Sequence, residues 1–110
     1  MNELNDIELE KVTGGVSSDD ISNVKSLISQ IITAVSAVED NSYKTTVLNC
    51  LSYANMCIDY SDFISAKNYL KQALNNYDTM KTNYGIFLNI DLDNIVNEIT
   101  TTMGWYDFWL

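Results

Sequence analysis

The chain has 110 residues and is acidic: 15 Asp or Glu against 6 Lys, a net charge of −9, and no Arg, His or Pro. So few cations exclude a nucleic-acid partner, because phosphate binding depends on clustered Lys and Arg, and they argue against electrostatic attack on anionic membranes. With no histidine there is no imidazole base, no His metal ligand and no Ser-His or Cys-His pair, so neither a catalytic residue nor a metal or cofactor site is expected.

The first fifteen residues, MNELNDIELEKVTGG, stand apart from the rest. Placed on a helix at about 100° per residue, Leu4, Glu8, Val12 and Leu9 fall at roughly 0°, 40°, 80° and 140°, one continuous face. Ile7 flanks that face, while Asn2, Asn5, Asp6, Glu10 and Lys11 are left mostly for water. Helices of fewer than about 12–15 residues are marginal in water, so this one is expected to form when a partner grips its apolar side. Gly14 and Gly15 follow, and two residues without side chains let a backbone enter a narrow slot beside catalytic groups.

This layout resembles a double-glycine leader peptide, matched at Leu4, Glu8, Leu9, Val12, Gly14 and Gly15. Proteins with such leaders are exported bacteriocins and related secreted peptides. The resemblance covers residues 1–15 only. It implies a partner, a peptidase-containing ABC transporter whose cysteine protease domain binds the leader and cuts after Gly15. Residues 1–15 are then a flexible leader and residues 16–110 a helical cargo domain. The N-terminus lacks the basic region and apolar stretch of a secretory signal peptide, so export would need this dedicated route.

From Ser17 onward the pattern is helical throughout. Ser17 or Ser18 can cap a first helix, with Asp19 and Asp20 in its opening turn. Ile21, Val24, Leu27, Ile28, Ile31, Ile32, Val35 and Val38 form one stripe about 140° wide, and the helix is expected to end near Glu39-Asp40-Asn41. A second helix is expected over 42–60, with Tyr43, Val47, Cys50, Leu51, Ala54, Cys57 and Ile58 inward. Ser61-Asp62 breaks the pattern, and Asp62 can cap a third helix. That helix carries Phe63, Ala66, Tyr69, Leu70, Ala73, Leu74, Tyr77, Met80 and Tyr84, and Gly85 stops it. After the connector Ile86-Phe87-Leu88, Asp91 can cap a fourth helix with Leu92, Ile95, Val96, Ile99 and Met103 inside, closed by Gly104. Connections of two to six residues favour antiparallel neighbours. The expected fold is all-α, a small antiparallel bundle of about four helices. No apolar run approaches twenty residues, so no transmembrane segment is expected.

Three features of this core have competing readings. Residues 50–78 are similar to a single tetratricopeptide-type hairpin, with Ala66 and Ala73 at the helix contact. No second copy follows, and a solenoid needs about three, so the shared feature is close helix packing. Cys50 and Cys57 sit ~10.5 Å apart along one helix, too far for a disulfide. They read as small buried hydrophobes, the alternative being thioether crosslinking by a modifying enzyme. Asp91 and Asp93 read as a cap and a dipole partner at a helix start rather than a catalytic pair.

Beyond Gly104 the composition changes. Trp105, Tyr106, Phe108 and Trp109 crowd the last residues with Leu110. Either the rings fold back over the open end of the bundle, or they form a docking tail for a receptor or a membrane interface. Taken together, the sequence reads as cargo: made in the cytoplasm, cleaved after Gly15 and secreted, its extracellular target open. The rival reading is an intracellular helical binding module, immunity-protein-like or a single tetratricopeptide-like hairpin, with no export.

Overall fold

Local capping rules place the helices of this chain almost residue by residue. The computed structural model describes residues 16–109. Among them lie four helices and no strand: α1 (Ser18–Ser36), α2 (Lys44–Asp59), α3 (Phe63–Tyr84) and α4 (Leu92–Met103). The Ser17 hydroxyl accepts the Asp20 N–H at 3.1 Å and the Asp20 carboxylate accepts the Ser17 N–H at 3.4 Å, a reciprocal capping box. Val16 and Ile21 occupy the flanking positions of a hydrophobic staple, and both pack against the core. Asp62 and Asp91 cap α3 and α4 by accepting the Ser65 and Asn94 N–H groups. Gly85 and Gly104 end these helices at φ of 64° and 72°, where a side chain is disfavoured.

Two boundaries differ from the sequence pattern. The apolar stripe runs on to Val38, yet α1 stops at Ser36. The Ala37 and Val38 N–H groups bond three residues back, to Ala34 and Val35, which tightens the chain out of α-geometry. The Asn41 side-chain oxygen then accepts both the Tyr43 and Lys44 N–H groups, so α2 begins two residues later than expected. At the other end of α2, Ser61 takes the left-handed conformation at φ 58°. Its N–H reaches the Ile58 oxygen, and the Asp62 N–H reaches the Cys57 oxygen at 2.9 Å, a Schellman closure with serine where glycine is usual. Ser61→Gly should therefore stabilise the protein by about 0.5–1 kcal/mol, by removing the left-handed penalty of a Cβ. A urea midpoint raised with unchanged slope is the expected result; a lowered midpoint would refute it.

The helices alternate in direction. Lys25 in the first half of α1 pairs with Asp59 at the end of α2, so these two helices are antiparallel. α2 and α3 form a tight hairpin and the most extensive helix pair among the described residues. Ala54, Ala66 and Ala73 are sealed between them, small residues that admit close approach. α4 packs on α1 rather than on its sequence neighbour α3. The shared core contains Val24, Ile28, Ile31, Leu51, Ile58, Leu70 and Ile99, all essentially without solvent contact. Of the expected inward residues, Tyr84 is half exposed, its ring edge-on to Tyr43 at 6.2 Å. Thr100, absent from the expected stripe, is buried, its hydroxyl donating to the Asn97 carbonyl. One polar atom, Asn55 Oδ1, is buried without a hydrogen-bond partner among the described residues.

Candidate functional site

Of the residues singled out in the sequence, Leu4, Glu8, Leu9, Val12, Gly14 and Gly15 lie outside the described residues. The aromatic C-terminus lies within them up to Trp109. Gly104 turns the chain, and the Trp105 N–H bonds the Thr100 oxygen at 2.9 Å, which points the chain back over the bundle. The Phe108 N–H then bonds the Trp105 oxygen, and these two rings stack 6.2 Å apart. Trp105 and Phe108 are 7% and 2% exposed, whereas Tyr106 and Trp109 are 86% and 61% exposed. The four rings therefore divide. One pair completes the core, the other stays at the surface, and neither reading of the tail holds for all of it.

The tail rests on α3. Asp107 pairs with Lys67 at 3.4 Å, and the Lys71 ammonium lies 5.9 Å from the centre of the Phe108 ring. Because α4 leans on α1, a cleft remains between α3 and α4, and the tail closes only part of it. Two adjoining hollows share Leu74, Asn75 and Trp109. The first, of about 330 Å³, is lined by Lys71, Leu74, Asn75, Phe108 and Trp109. The second, of about 300 Å³, adds Tyr77, Leu92 and Val96, with Asp78, Lys81 and Asp93 at its edge. A third depression, of about 570 Å³, lies between α1 and the connector from α3 to α4, lined mostly by small and polar side chains such as Ser26, Ser29 and Thr33, with Asn89 and Ile90 from the connector. The sequence pattern marked Trp109 but not the cleft. It placed Leu74, Tyr77, Leu92 and Val96 on apolar stripes, and all four line the cleft.

Both cysteines are free thiols, Cys50 buried and Cys57 half-buried. Burial pushes both thiols above their ordinary range, and for Cys57 the nearby Asp62 carboxylate adds to the rise. Both therefore stay protonated near neutral pH, the unreactive form. Asp91 is occupied in capping α4, and Asp93 lies in its first turn. Among the described residues no group of three or more His, Cys, Asp or Glu could hold a metal ion, and no helix is long and apolar enough to cross a membrane. What the surface does offer is an apolar cleft with exposed aromatic rings, a binding feature. Comparison of the chain with known protein families, curated proteins and solved structures gave no match.

Proposed function

We propose that this chain is the precursor of an exported bacteriocin-like or signalling protein. Residues 1–15 act as a double-glycine leader, recognised through Leu4, Glu8, Leu9 and Val12. The peptidase domain of an ABC transporter cleaves after Gly15, and residues 16–110 are secreted. In this reading the protein is a substrate and a cargo, not an enzyme. One observation carries the proposal: the ordered motif ending at Gly14-Gly15 stands two residues before the capping box at Ser17 that opens α1. A cut after Gly15 would leave the cap, the staple and the described core intact.

The intracellular binding module draws support from a different observation. The α2–α3 hairpin keeps Tyr53, Met56, Tyr60 and Ile64 exposed although its inner face is tightly packed. Intact mass of the protein made by its native cell separates the two readings. The expected result is a species in the medium with the mass of residues 16–110. A full-length protein confined to the cytosol would overturn the export reading.

A further inference from the structure

We propose that the cleft between α3 and the C-terminal turn binds a small amphipathic monoanion, a monocarboxylate bearing an apolar chain or ring. The argument begins with charge. In a chain of net −9, a cation without a carboxylate partner is unusual. Among the described lysines, Lys25 pairs with Asp59, Lys44 with Asp40, Lys67 with Asp107 and Lys81 with Asp78. Lys71 has no such partner among the described residues; its ammonium lies over the ring of Phe108. Among the described residues, no carboxylate lines the same hollow. Asn75 and Trp109, on the same wall, add amide and indole N–H donors that make no side-chain hydrogen bond among the described residues. This end of the cleft is suited to one negative head group.

The rest of the cleft is suited to hydrocarbon. Leu74 and Trp109 continue into the second hollow, where Leu92 and Val96 supply the apolar wall. At its far edge stand Asp78, Lys81 and Asp93, the first two joined as an ion pair. Asp78 lies seven residues beyond Lys71, roughly 10 Å along the helix. A second negative charge placed there would meet two carboxylates and one ammonium already paired with Asp78, an edge of net negative charge, so the cleft favours a monoanion over a dianion of the same length. The inference is independent of whether the chain is exported, and it can fail or hold without touching that proposal.

The test uses the full-length protein and decanoate below its micelle concentration. Backbone amide shifts and tryptophan fluorescence report binding, with decanol and decanedioate as neutral and dianionic controls. Saturable shifts are expected at Lys71, Leu74, Asn75, Leu92 and Val96, with decanoate bound about tenfold tighter than either control. Lys71→Gln should remove the preference for decanoate over decanol while leaving the helical signal unchanged. Trp109→Ala should weaken both ligands, and Tyr106→Ala neither. Shifts scattered over the surface, no saturation at a few millimolar, or an undiminished decanoate preference in Lys71→Gln would each overturn the proposal.

Discussion

Gly15→Val is expected to stop maturation, with cleavage by the cognate peptidase falling at least about a hundredfold, or ~2.7 kcal/mol of barrier. The reason is steric. A β-branched side chain restricts the backbone and widens it where a scissile segment must thread a narrow slot. Asn5→Val adds the same side chain at a position outside the proposed recognition residues Leu4, Glu8, Leu9 and Val12, and processing should be almost unchanged. The fold of residues 16–109 should be untouched in both variants, because neither position belongs to the core formed by the described residues. Cleavage assays on purified precursor, with far-UV circular dichroism as the folding control, check this directly. Efficient cutting of the Gly15 variant would remove the basis for the double-glycine assignment.

Leu70→Ala should be the most damaging single change within the bundle. Leu70 has no solvent exposure and lies on α3 between the buried Ala66 and Ala73. Truncation loses the transfer energy of the side chain and leaves a cavity that rigid neighbouring helices cannot fill. The expected cost is about 2–5 kcal/mol. Small domains are stable by only about 5–15 kcal/mol, so a large part of the total is at stake. Urea denaturation followed by circular dichroism should show a strongly lowered midpoint. Leu74→Ala, at a partly buried position that borders the cleft, should cost clearly less. Equal losses at the two positions would mean that the core is not organised around the α2–α3 contact.

The contrast between those two leucines shows where sequence reading stops. Both fall on one apolar stripe of α3 and are indistinguishable by periodicity. Packing leaves Leu70 without solvent contact, while Leu74 borders a hollow it shares with Leu92 and Val96 of α4. The same limit applies to the tail. Four aromatic residues within five positions announced a special segment, but the division into buried Trp105 and Phe108 and exposed Tyr106 and Trp109 depends on the turn after Gly104 and the shape of the gap it enters.

The sequence by itself determined the all-helical class, a cap at Ser17 or Ser18, the caps at Asp62 and Asp91, the stops at Gly85 and Gly104, and most of the buried stripe. These rest on interactions between residues three or four apart, or on the backbone freedom of a single glycine, and such terms are written locally. The proposed leader pattern is local in the same sense, though it lies outside the described residues. Tertiary structure decided the rest: the early end of α1, the left-handed Ser61, the partner chosen by α4, and the isolation of Lys71 from every carboxylate among the described residues. The last two depend on groups brought together from distant parts of the chain, as Lys67 and Asp107 are across forty residues. No local pattern encodes which of several apolar faces will meet; the mutual fit of whole helices selects it.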